Sequence, residues 1–201
     1  MRIVLIRHGR PDEDHEARPH DPPLRDDGRK QAEAVASLLA DEGITRIVAS
    51  PLLRAHETAL PLAARRGLPV HTTEGWAEAD RHLGRYRSTE TLHAQGPAEW
   101  QRFLDDPLRY LGVEPERFIG GVLGAYRRLI VEGPSDAHVA VYTHGLPINI
   151  VLSHILGLEG IVHFRPGYGS ITRLHARDEQ RVGIVSVNES GHHAWPRPSQ
   201  P

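Results

Sequence analysis

The chain has 201 residues, 39% of them apolar and 25% charged, with a formal net charge of -2. That profile suits a soluble globular protein and gives no broad electrostatic attraction to nucleic acid or to an anionic membrane. Cysteine is absent, which excludes disulfide frameworks, thiolate catalysis and cysteine-ligated metal sites. No apolar run reaches the length of a membrane span, so a cytoplasmic protein is expected.

In chain order, Ile3-Val4-Leu5-Ile6 is a short apolar run of the kind that forms a strand buried on both faces. It stops at Arg7-His8-Gly9, and a loop rich in proline follows through Pro11, Pro19, Pro22 and Pro23. Asp26 or Asp27 is placed to cap a helix with Ala32, Val35, Ala36 and Leu39 on its inner stripe, and Gly43 falls where a C-terminal glycine belongs. Arg46–Ala49 reads as a second strand. Ser50-Pro51 then opens a helix that Pro61 is expected to kink or end.

A third short strand is predicted at Pro69–Thr72. The stretch from about 75 to 115 is polar, with one amphipathic piece around Trp100, Phe103 and Leu104, and reads as an insertion over the sheet's edge. A helix is predicted over 116–130, weakened by Gly120, Gly121 and Gly124. Val139–Tyr142 forms the clearest strand and runs into Thr143-His144-Gly145. A helix from Pro147 to Gly157 follows, then an antiparallel hairpin of Ile171–Leu174 with Gly183–Val187, and a loose tail from Trp195. Strands alternating with helices predict one α/β domain over 1–201, a three-layer α/β/α sandwich around a mostly parallel sheet.

Two apolar strands thus end in histidine followed by glycine. Ligands of open parallel sheets bind beyond the carboxyl ends of the strands, so neighbouring strands would set His8 against His144 across that crevice. Gly9 and Gly145 would let the backbone approach an anion closely. Arg54, near a helix N-terminus, would add bidentate phosphate contacts. An ordinary strand-end turn, or a surface arginine, explains any one of these features alone; the matched set does not reduce to that.

Taken in order, the motifs resemble a family. Leu5-Ile6-Arg7-His8-Gly9 is similar to the signature of the histidine phosphatase superfamily, which is phosphoglycerate-mutase-like. Asp21-Pro22-Pro23-Leu24 with Gly28 and Gln31-Ala32, then Ser50–Ala55 with Thr58, then Val141–Gly145, and finally Gly169–Thr172 resemble its later motifs. The resemblance implies that His8 is the nucleophile and that Arg7, Arg54 and His144 bind the phosphoryl oxygens, with no metal and no cofactor. It also implies a carboxylic acid as proton donor. Glu78 fits the approach from the preceding strand and Asp80 fits the spacing to Gly84; Glu78 is preferred because the acid must reach the site from the strand-end side.

Around this core, Arg10, His15, Arg18 and His20 in the first loop and Arg81, His82, Arg85 and Arg87 in the second are candidates for a basic rim. Arg10 and Arg85 would bind substrate there. A mixed surface is the competing reading, because Asp12, Glu13, Asp14 and Glu16 lie among the first set. The first loop reads Arg10-Pro11-Asp12-Glu13, unlike the mutase pattern of the family, so a phosphomonoester hydrolase is expected. Its substrate would be a small phosphorylated compound or a phosphoprotein. A mutase-type phosphotransferase and a catalytically silent phospho-ligand module are the alternatives. A metallohydrolase is suggested only by the 14 histidines, including His192-His193, which show no ligand spacing.

Overall fold

A computed structural model describes residues 1–192. Its core is a six-stranded sheet of β1 (Arg2–Arg7), β2 (Arg46–Ala49), β3 (Val70–Thr72), β4 (His138–Thr143), β5 (Ile171–Ala176) and β6 (Val182–Glu189), in the order β3-β2-β4-β1-β5-β6. The first four of these pair in parallel, while β5 joins β1 and β6 joins β5 antiparallel.

Alternation along the strands makes the three layers. Ile3 and Leu5 of β1 share one cluster with Val139 and Val141 of β4. Helices α6 (Pro115–Glu132) and α7 (Gly145–Leu156) close that face through Val122, Tyr126, Ile148 and Leu152. Val4, Ile6, Ala140 and Tyr142 point the other way, against Val35 and Leu39 of α1 (Asp26–Leu39) and Leu62 of α2 (Leu53–Arg66). Side chains of period two thus feed two cores at once, each large buried one worth roughly 1.5–3 kcal/mol. No helix among the described residues is long and apolar enough to cross a membrane.

Several local expectations need correction. Pro61 does not end its helix, since α2 runs through it to Arg66. The missing N–H costs one bond, but Ala59, Leu62 and Ala63 on the same face are buried in the core and hold the helix together. Arg25, not an aspartate, stands at the cap of α1; Asp26 and Asp27 lie in its first turn, where they still favour the positive end of the dipole. Gly43 sits in the following turn with φ +69, beyond the Ala40 C-cap. The glycines of α6 leave a helix of 18 residues, and the close packing falls on its neighbour: a Cβ on Gly75 would lie 2.6 Å from the Gly121 carbonyl oxygen.

The 75–115 stretch lies over the carboxyl ends of β1 and β4 rather than over a sheet edge, as its contacts below show. Two short 3-10 turns (Glu74–Trp76 and Ala79–His82) lead into α3 (Thr89–Ala94), α4 (Pro97–Asp105) and α5 (Pro107–Tyr110). The amphipathic piece is α4, whose Phe103 joins Leu92, Leu108 and Ala79 in a small core seated on Leu146 of α7. The expected loose tail, like His193, lies outside the described residues.

Gly28 pins the first loop. A Cβ there would lie 2.1 Å from the Arg10 carbonyl oxygen, against backbone that has nowhere to move. Gly28→Ala is expected to destabilise the chain by about 1–3 kcal/mol, a fall in Tm of roughly 3–10 °C. An unchanged melting curve would mean the first loop is not packed as described.

Candidate active site

The register of β1 on β4 pairs Arg7 with Thr143, so the next residues, His8 and His144, leave adjacent parallel strands together. Their ring centroids are 5.0 Å apart, and both rings are buried. His8 Nδ1 lies 2.7 Å from the Gly9 carbonyl oxygen. A carbonyl only accepts, so Nδ1 carries the hydrogen and Nε2 keeps its lone pair. Burial, followed by the charges of Arg54 and Arg7, holds His8 well below the usual histidine value, and the ring is neutral. His144 is held neutral likewise, by burial, Arg54, His8 and Arg7.

Both arginines are buried and each is gripped by a carboxylate from the segment above the sheet. Arg7 donates to Glu90 of α3 through Nη1 at 2.7 Å and Nη2 at 3.0 Å, and through Nη1 to the Pro166 carbonyl at 2.7 Å. Burial alone would raise Glu90, but the charge and hydrogen bonds of Arg7 pull its carboxyl down to about 2. Arg54 donates from Nη2 to both oxygens of Asp80, at 2.9 and 3.0 Å. Burial works against its charge, yet Asp80 leads the groups that hold Arg54 above its ordinary value. Tyr168 lies under Arg7 with 4.1 Å to the ring centre, and Tyr86 under Arg54 with 4.4 Å.

What the carboxylates leave unused defines the site. Arg7 Nε, Arg54 Nε, Arg54 Nη1 and His144 Nδ1 are buried and have no hydrogen-bond partner, although Arg54 Nη1 makes a longer ion pair with Asp21 at 3.7 Å. Buried polar atoms of this kind normally find partners, and here three N–H groups of the two arginines and one ring nitrogen of His144 lack them, on the three residues around His8. The pattern suits a small, multiply charged anion with several oxygens.

The two candidate acids separate. Asp80 faces Arg54; burial pushes its carboxyl up and Arg54 opposes that. Glu78 accepts from the Leu146 N–H at 3.2 Å, at the start of α7, and one of its oxygens lies 3.9 Å from where a Cβ on Gly145 would be. Burial, then the neighbouring charge of Asp80, pushes Glu78 up to about 7. It therefore holds a proton near neutrality.

Gly9 makes a close approach to α1, since a Cβ on it would lie 2.5 Å from the Gly28 carbonyl oxygen. Its N–H is taken by Thr58 Oγ1 at 3.0 Å. The first N–H of α2, at Leu53, is taken by Asp21 at 2.9 Å, so that helix end offers an anion less than its position suggested. Gly145 stands at the first position of α7.

Of the proposed rim, Arg10, Arg85 and Arg87 line one cavity of about 410 Å³ together with Arg25, Glu13 and Asp14; Tyr86, on whose face Arg54 lies, lines it too. Asp27 pairs with Arg10 at 3.2 Å and with Arg25 at 3.8 Å, so four arginines against Glu13, Asp14 and Asp27 leave it only mildly basic. His15, Arg18, His20, Arg81 and His82 are not part of it, and Arg81 pairs with Glu74. Sequence reasoning does not single out Glu90, Tyr86 or Tyr168: Glu90 lies far from the motifs, and although Tyr86 adjoins Arg85 and Tyr168 precedes Gly169, nothing local marks either ring as lying on an arginine. Among the described residues, no three histidine, aspartate or glutamate side chains gather as a metal-holding group.

A three-layer sandwich with this site at the carboxyl ends of two central strands is the phosphoglycerate-mutase-like architecture. The family model described as histidine phosphatase superfamily (branch 1) matches residues 3–190, and the chain belongs to that superfamily. Phosphoserine phosphatase 1 of Hydrogenobacter thermophilus is 24% identical over 199 residues, covering 96% of this chain and 94% of that protein. A probable phosphoglycerate mutase of Salmonella paratyphi A, GpmB, is 27% identical over 198 residues, covering 94% and 92%. Among solved structures, a mycobacterial glucosyl-3-phosphoglycerate phosphatase in complex with VO3 superposes with a TM-score of 0.73 at 26% identity, covering 94% of this chain and 99% of that one.

Proposed function

We propose that the chain is a phosphomonoester hydrolase that works through a phosphohistidine on His8, as a single catalytic unit with residues 75–115 as its cap. The observation that carries this reading is the set of buried nitrogens without hydrogen-bond partners, three N–H groups on Arg7 and Arg54 and Nδ1 of His144, around a neutral histidine whose Nε2 is free. In the first step the His8 Nε2 lone pair attacks phosphorus and the ester P–O bond breaks. The leaving oxygen takes the proton of Glu78. A water then attacks the phosphohistidine, gives its proton to the Glu78 carboxylate, and frees phosphate and His8. Phosphoryl transfer needs positioning and charge stabilisation more than covalent help, and the two arginines supply both without a metal.

The basic cavity beside Tyr86 favours small phosphate esters that carry a second anionic group. Phosphoserine and glucosyl-3-phosphoglycerate, named in the relatives, are of that chemistry. The test is phosphate release from a panel of phosphomonoesters, with and without a carboxylate, in excess chelator. Chelator-resistant release with a preference for the carboxylated esters is expected. Arg85→Gln should shrink that preference by about two- to fivefold, the scale of one exposed charge contact. Transfer of phosphate between acceptors without release would make the chain a mutase, and binding without either would make it a phospho-ligand module.

A further inference from the structure

We infer that the Ser50 hydroxyl is a positioning group: it donates to His144 Nε2, so that His144 carries its hydrogen on Nδ1 and serves the phosphoryl group as a neutral donor. This rests on the phosphoryl-transfer reading above. The sheet brings the two residues together, because β2 pairs with β4 through Ala49 and Tyr142 and the Ser50 N–H continues the ladder to the Tyr142 carbonyl. Ser50 Oγ then lies 2.7 Å from His144 Nε2, with both residues fully buried.

Counting hydrogens decides the direction. Ser50 Oγ accepts from the Leu52 N–H at 3.2 Å. Among the described residues the hydroxyl's own hydrogen has one acceptor within reach, His144 Nε2. If the imidazole instead donated from Nε2, the serine hydrogen would be buried with no acceptor and Nδ1 would face the site as a bare lone pair, an acceptor set against an anion. With the serine as donor, every hydrogen in the chain Leu52 N–H, Ser50 O–H, His144 Nδ1–H points toward a lone pair or toward the reacting group. Nδ1 is the ring nitrogen that has no partner. Arg7, Arg54 and His8 surround the ring and disfavour a charge on it. A tautomer preset in this way lets His144 donate without first being protonated.

The experiment uses the full chain labelled with 15N histidine and reads the His144 ring nitrogens by NMR, in the wild type and in Ser50→Ala. The wild type should show a protonated, pyrrole-type Nδ1 and a pyridine-type Nε2. In Ser50→Ala the two shifts should move toward each other as the tautomers mix, with kcat on phosphomonoesters falling about tenfold and KM changing less, the scale of one misdirected hydrogen bond to a charged group. A wild-type ring protonated on Nε2 overturns the inference without any need for the variant. So does a Ser50→Ala protein with an unchanged tautomer and unchanged kcat. The NMR readout does not depend on turnover: a wild type that shows the Nδ1–H form but releases no phosphate refutes the hydrolase reading alone.

Discussion

Replacing His8 by alanine is expected to lower turnover of every phosphomonoester by about 10⁴-fold or more, because the proposed covalent route would lose its nucleophile. Binding should survive far better. The free N–H groups of Arg7 and Arg54 and Nδ1 of His144 all remain, so inorganic phosphate should bind the variant within several-fold of wild type. That split between chemistry and binding separates a nucleophile from a structural residue. A chain that merely loosened would lose both together. His8→Asn keeps a polar group near the Gly9 carbonyl and guards against a folding defect in the alanine variant. Rapid acid-free quenching of the wild type with labelled substrate should trap a base-stable, acid-labile phosphoenzyme, and the variants should trap none. Turnover within tenfold of wild type in His8→Ala would refute the phosphohistidine mechanism.

How much of this was legible depends on where each contact lies along the chain. The strands were readable because β1, β2 and β4 are short runs with both faces buried, and their apolar residues follow one another without a break. The pairing of His8 with His144 followed from those strands once they were neighbours, since sheet register converts two strand ends into one site. The ion pairs that the 75–115 stretch makes with the two arginines were not readable. Glu90 meets Arg7 across 83 positions and Asp80 meets Arg54 across 26, and no local periodicity announces an ion pair made by a loop folding back. Pro61 misled for the same reason in reverse: the local rule says break, but a buried face of Ala59, Leu62 and Ala63 outweighs one lost hydrogen bond. The acid stayed open because Glu78 and Asp80 are two residues apart, and only the geometry of the 3-10 turn sends one to the start of α7 and the other to Arg54.

That geometry gives Glu78→Gln and Asp80→Asn different expected failures. A general acid matters in proportion to how poor the leaving group is. Glu78→Gln should therefore slow alkyl phosphates by roughly 10²–10⁴-fold and activated aryl phosphates much less. The pH profile carries the same signature with a definite sign. Burial and the charge of Asp80 raise Glu78 to about 7, so its proton is present below that pH and lost above it. The rate on alkyl phosphates should fall as pH rises through about 7, and that limb should vanish in Glu78→Gln. On the acid side His8 is held well below the usual histidine value of 6.5, so the nucleophile stays neutral and the optimum lies below neutrality. Asp80→Asn acts elsewhere. It removes the shorter of the two ion pairs of fully buried Arg54, leaving Asp21 at 3.7 Å, and breaking a buried pair typically costs up to about 3–5 kcal/mol of stability. Its expected signature is a lower Tm and altered phosphate binding, with the leaving-group dependence and the limb near 7 still in place. If Asp80→Asn instead flattens the leaving-group dependence while Glu78→Gln keeps it, the proton comes from Asp80, and Arg54 must release that carboxyl during each turnover.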